Sequence, residues 1–161
     1  MGYFIGADLG TSSLKLLLVD EKGNIFNKSV REYAVSYPAP GWSEQNPETW
    51  WNAFSSGIGE LLEGFDRCAV KGIGVGGQMH GLVALDENDA VIRPCILWND
   101  GRTANETAYL NEVIGEKTLA ENTANIAFAG FTAPKILWMR ENEPENFAKI
   151  AKIMLHKDYL N

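Results

Sequence analysis

The stretch Tyr3-Phe4-Ile5-Gly6-Ala7-Asp8-Leu9-Gly10-Thr11-Ser12-Ser13-Leu14-Lys15-Leu16-Leu17-Leu18-Val19-Asp20 decides how the rest of the chain is read. Tyr3–Asp8 is a β-type run, Gly10–Ser13 a turn, and Leu14–Asp20 a second apolar strand. Glu21-Lys22-Gly23-Asn24 is a further turn signal, and Ile25–Val35 alternates as a third strand. Linkers this short cannot make the crossover that parallel neighbours need. The three strands are therefore expected as an antiparallel meander.

Outward from the meander, Asn46 is a good N-cap, Pro47 suits the first helical position, and Glu48 complements the positive helix end. Trp51, Phe54, Ile58, Leu61 and Phe65 recur at helical spacing, with Trp50 beside them. Val70–Val75 and Leu82–Leu85 read as buried strands, Asp86–Asp89 as a turn and Val91–Leu97 as another strand. Thr103–Val113 and Thr132–Asn142 read as helices, and Ile150–Leu155 as a strand or a continuing helix. The order predicts an α/β domain on a mixed sheet that begins with an antiparallel meander. Pro38-Ala39-Pro40-Gly41 is a loop within the domain.

Composition sets the outer bounds. Among 161 residues, 45% are apolar and 22% charged, a balance that can build a core and argues against disorder. A formal charge of −7 disfavours a nucleic-acid footprint, which needs clustered Lys and Arg. No apolar run approaches a membrane helix, and the start lacks the basic region of a signal peptide. Cys68 and Cys95 form no CxxC pair, which suits a reducing compartment, so a cytoplasmic location is expected with no membrane partner.

Three loops could carry chemistry. The first is Asp8 to Lys15. A strand delivers a carboxylate, Gly10 lets the backbone turn close to a ligand, and Thr11, Ser12 and Lys15 follow as donors. Phosphate wants backbone N–H groups, hydroxyls and a cation, and Asp8 would suit Mg²⁺ through water. The Walker pattern is absent, and a plain hairpin turn with polar residues fits the same composition. The second loop is Gly72-Ile73-Gly74-Val75-Gly76-Gly77-Gln78-Met79-His80-Gly81. Its literal G-x-G-x-x-G would bind a dinucleotide only if a helix opened after Gly77, and the following Leu82–Leu85 looks like a strand. The other readings are a tight connection holding a satisfied histidine, or a loop at a strand end. Such a loop brings Gln78 and His80 to hydroxyls and Met79 to an apolar sugar face. The third is Leu97-Trp98-Asn99-Asp100-Gly101-Arg102, in which Trp98 offers a stacking surface and Asn99 and Asp100 offer short polar groups. Asn99 or Asp100 could equally cap a helix. His156 carries no assigned role.

Together, the segments YFIGADLGTSSLK, GWSEQNPETWW, GIGVGGQMHG, ILWNDGR, GFTAPKILW and HKDYL resemble the FGGY family of carbohydrate kinases, most closely its xylulokinase branch. The resemblance runs from Tyr3 to Leu160. It implies an actin-like, ribonuclease H-like (hexokinase-type) N-terminal domain, with ATP and Mg²⁺ as cofactors and a small sugar, D-xylulose, as acceptor. It implies a phosphate role for Gly10, Thr11, Ser12 and Lys15, a Mg²⁺ role for Asp8, and sugar contacts from Gln78, Met79, His80, Trp98, Asn99 and Asp100. Glycerol kinases of the family carry an Arg-Glu pair where Met79 and His80 stand, which argues against glycerol. Family members are about three times as long, and no residue here corresponds to their catalytic aspartate. Residues 1–161 are therefore expected to be an incomplete N-terminal kinase domain without its second domain, inactive alone and prone to self-association, with a homodimer as one state. Three alternatives stay open: a family kinase for another sugar or polyol, a non-catalytic actin-like binding domain, and a dinucleotide-binding oxidoreductase.

Overall fold

Strict alternation of apolar and polar side chains builds β1 (Tyr3–Leu9) and β2 (Ser13–Asp20), whose Ile5, Ala7, Leu9, Leu14, Leu16 and Leu18 all face one side. In a computed structural model that describes residues 2–161, these pair antiparallel, with Asp8 opposite Lys15. β2 pairs antiparallel with β3 (Ile25–Glu32), so the meander is as expected, although β3 stops three residues short of Val35.

The helix α1 (Pro47–Leu61) then carries the chain back across the sheet. The Asn46 side chain accepts the Glu48 N–H at 3.0 Å, and Pro47 sits at the first turn. Its buried face includes Trp50, Phe54, Gly57 and Leu61, so Phe54 and Leu61 of the expected stripe are buried while Trp51 is 47% exposed. The reason is Gly57: a Cβ there would stand 2.7 Å from Leu16 Cδ1, so the helix rests on β2 along the line that contains its smallest residue. Each large side chain buried here adds roughly 1.5–3 kcal/mol. After α1, β5 (Val70–Gly77) joins β1 in parallel, giving the order β3-β2-β1-β5. The glycines expected at the end of a strand lie inside one.

Several of the remaining elements differ in extent from what the sequence suggests. β4 (Glu44–Gln45), which had no sequence signal, pairs with β7 (Cys95–Ile96). Of the strand expected at Val91–Leu97, only Cys95–Ile96 and an isolated bridge at Val91 form, because Pro94 cannot donate to a ladder. β6 (Val83–Leu85) follows a bridge at Leu82 and pairs antiparallel with β8 (Lys152–Met154), so that segment is a strand. The helix α2 (Ala104–Tyr109) runs into a π-helical turn at Leu110–Gly115 and then α3 (Glu116–Thr123), which the sequence reading left out. The helix α4 (Thr132–Asn142) has the expected bounds, and α5 (Pro144–Phe147) follows.

Two compact units result. The first takes the chain up to Val35, Asn46–Gln78 and His156–Asn161, and contains the four-stranded sheet and α1. Here His156 is buried against the Trp50 ring, with centroids 4.9 Å apart, as a packing residue. The second takes Ser36–Gln45 and Met79–Leu155, around Leu82, Ala84, Ile96, Trp138 and Met139.

Candidate functional site

In the first unit, the turn between β1 and β2 is closed by Gly10 N–H donating to the Ser13 carbonyl at 2.9 Å. The Gly10 carbonyl accepts from the Tyr33 hydroxyl at 2.8 Å and from Gln78 Nε2 at 3.4 Å. Thr11 Oγ1 donates to Gln78 Oε1 at 2.9 Å, and the Gln78 N–H donates to the Leu9 carbonyl. Gln78, expected as a sugar contact, therefore has its amide engaged by the loop at Gly10–Thr11. Tyr33, which the sequence reading passed over, is the other brace. Burial and the Asp8 carboxylate push the Tyr33 phenol above its ordinary range, so it stays a neutral donor.

Asp8 and Lys15 are exposed on the sheet face away from α1, and Ser12 is exposed at the turn. Across β1 and β5, Asp8 is in register with Gly76 and Gly6 with Gly74, and no Cβ blocks the approach there. An exposed carboxylate beside a braced turn, with the glycines of β5 alongside, could hold a hydrated Mg²⁺ with its phosphates. Among the described residues no group of three or more His, Cys, Asp or Glu could hold a metal ion.

In the second unit, Met79 is 61% exposed and Trp98 47%, and Asn99 is exposed. His80 is half-buried with a backbone φ of +62°, and its ring lies on Phe131 at 4.1 Å between centroids, 18° from parallel. Burial, then the Lys135 charge, hold the His80 imidazole below its usual range, so it is neutral near pH 7 and can both donate and accept. A hollow of about 330 Å³ opens beside it, lined by Leu110, Leu119, Ile126, Phe131 and Pro134 among others. Asn99 lines a different hollow, with Tyr37–Ser43.

Asp100, expected as a sugar contact, is committed within the protein. Its carboxylate is 2% exposed, one oxygen accepting Arg102 N–H and Nε at 3.0 and 2.9 Å, the other accepting the Ser43 N–H at 2.6 Å and Arg102 Nη2 at 2.7 Å. Arg102 in turn pairs with Glu44 and lies over the Trp42 ring at 3.7 Å, and Glu44 also pairs with Arg93. A carboxylate with its acceptor sites filled by the protein offers little to a ligand hydroxyl. Nor do Asn99 and Asp100 cap a helix, since α2 begins after Thr103. The dinucleotide reading also fails on local structure: after Gly77 the chain extends to the Leu82 bridge and β6, with no helix to receive a pyrophosphate.

The model of the FGGY family of carbohydrate kinases, N-terminal domain, matches residues 3–161. The chain belongs to this family. It is 47% identical over 164 residues to a xylulose kinase from Lactococcus lactis, covering 100% of the chain and 32% of the relative. It is 44% identical over 157 residues to a xylulose kinase from Escherichia coli, covering 98% and 32%. The crystal structure of xylulose kinase from Rhodospirillum rubrum superposes with a TM-score of 0.93 at 31% identity, over 99% of the chain and 33% of that protein. The chain thus spans about a third of the length of these FGGY relatives. Their actin-like fold is its fold class.

Proposed function

We propose that the chain forms the N-terminal part of an ATP-dependent kinase that phosphorylates a ketopentose, D-xylulose, to D-xylulose 5-phosphate. The observation that carries this is family membership over residues 3–161, together with identities of 47% and 44% to xylulose kinases. In this reading Asp8 holds the water shell of Mg²⁺, while the Gly10–Ser12 turn, fixed by Tyr33 and Gln78, presents backbone and hydroxyl donors to the ATP phosphates beside Lys15. Mg²⁺ would neutralise charge on the transferring phosphoryl group. Met79, His80, Trp98 and Asn99 hold the sugar. Asp100 acts through Arg102 and Ser43 by fixing its loop, and Gln78 through the phosphate loop. The proton acceptor for the attacking hydroxyl and the second wall of the nucleotide site come from a further domain. In this reading the enzyme works in the reducing cytoplasm, which suits Cys68 and Cys95 standing in no disulfide. Among the described residues no helix is long and apolar enough to cross a membrane.

The test is a sugar panel on the complete gene product with ATP and Mg²⁺. D-Xylulose is expected to give the highest kcat/KM, above gluconate, L-ribulose and glycerol. A different preferred sugar moves the substrate within the family, and no sugar-dependent ADP release favours a non-catalytic binding domain. In the same protein, His80→Ala is expected to raise the KM for D-xylulose and leave that for ATP unchanged. An equal rise in both points to a purely structural His80.

A further inference from the structure

Lys135 has no exposed surface, although it sits on the first turns of a helix where a lysine ordinarily reaches water. A buried ammonium is tolerated where its donors find acceptors. Lys135 Nζ donates to the His80 carbonyl at 2.6 Å and to the Gly130 carbonyl at 2.6 Å. These acceptors belong to two separate loops. A third loop is fastened to them by shape, because Gly130 lies so close to the Trp98 carbonyl that a Cβ would collide with it.

His80 needs such a hold. Its φ of +62° is a left-handed conformation that a side chain with a Cβ disfavours. The Phe131 ring fixes the imidazole from one side, and Lys135 fixes the carbonyl from the other. Lys135 therefore gathers Met79–His80 and Gly130–Phe131 through their backbone carbonyls, and Trp98–Asn99 through the close approach of Gly130.

We infer that Lys135 is the positioning residue of the sugar site, fixing through the His80 and Gly130 carbonyls the orientation in which His80 meets the sugar. This rests on His80 being a sugar contact.

The test is a double-mutant cycle in the complete kinase. Lys135→Met removes the donors at similar length. It is expected to raise the KM for D-xylulose by about 10–100-fold, the loss that a small misplacement of a binding group produces, with the KM for ATP unchanged. Residues that act through one another are non-additive, so Lys135→Met combined with His80→Ala is expected to be no worse for D-xylulose than His80→Ala alone. Full additivity, or an unaltered D-xylulose KM in Lys135→Met, overturns the inference. A His80→Ala single variant with unchanged D-xylulose KM removes the sugar-contact reading first and the inference with it, so the two failures are distinguished by one protein. If circular dichroism shows Lys135→Met unfolded, Lys135→Gln, one bond shorter so that its N–H donors fall short of the Nζ position between the two carbonyls, enters the same cycle under the same criteria.

Discussion

Two side chains illustrate how a buried polar group shapes behaviour at the residue scale. Burial brings the Lys135 ammonium down to about 8 from an ordinary 10.5, with Cys95 and Asp100 pulling it up and Arg102 pushing it down. Between those values the unfolded chain holds more protons than the folded one. Lys135 therefore penalises folding below pH 8, by about 3 kcal/mol in full, and the penalty lifts as pH rises toward 10.5. The Cys95 thiol, which burial pushes up to about 12 from 9.0, contributes an opposite loss that begins only above pH 9. Urea midpoints of the chain are expected to rise from pH 7 to 9 and to lose this rise in Lys135→Met. A Lys135→Met profile parallel to the native one would remove Lys135 as the cause. Tyr33 offers a second residue-scale test. Tyr33→Phe deletes the 2.8 Å bond to the Gly10 carbonyl, which Gln78 Nε2 also approaches at 3.4 Å. The expected cost is about 1 kcal/mol of stability. In the complete kinase, the KM for ATP is expected to rise and that for D-xylulose to stay unchanged; the reverse pattern contradicts the phosphate role of this loop.

At the scale of elements, two glycines mark where backbones press together. Gly57→Val forces a branched side chain against the fully buried Leu16 and is expected to cost about 1–3 kcal/mol, read as a lowered denaturant midpoint. Gly130→Ala drives its Cβ into the Trp98 carbonyl, a backbone atom that no rotamer can move. It is expected to destabilise the second unit by a similar amount and to raise the KM for D-xylulose; wild-type values of both would show that this close approach carries no function. The same elements show what a sequence can reveal. β1, β2 and α1 were legible because their period, their caps or both are local properties. β5 was half-read: Gly72, Gly74, Gly76 and Gly77 have no strand preference of their own, and pairing with β1 makes them a strand. The Asp8–Lys15 loop was legible as a unit, since its donors are contiguous. The commitments of Gln78 to Thr11, of Asp100 to Ser43, and of Lys135 to His80 were not, because each joins residues far apart in sequence. Lys135 carried one available signal, its place in the GFTAPK segment that resembles the family.

For the whole molecule, the decisive fact is that the chain matches about a third of its relatives' length. Purified alone and given ATP, Mg²⁺ and D-xylulose, it is expected to show no sugar-dependent ADP release. A general base is typically worth about 10²–10⁴-fold, and an open site also weakens charge stabilisation by admitting water. Turnover at ordinary kinase rates would instead place the base within these residues, with Asp8 the first suspect. In the first unit Ile25 is 62% exposed, Ile73 50% and Val30 45%, so concentration-dependent self-association is expected in sedimentation experiments.

The two thiols also differ in a way that can be put to use as a clock. Cys68 is exposed in the first unit, whereas Cys95 is buried on β7 in the second, next to the ammonium of Lys135. An alkylating reagent will therefore mark Cys68 at once and reach Cys95 only when the second unit opens around it. The delay between the first and second mass additions measures how often that opening occurs, and a sugar that binds at His80 should lengthen it.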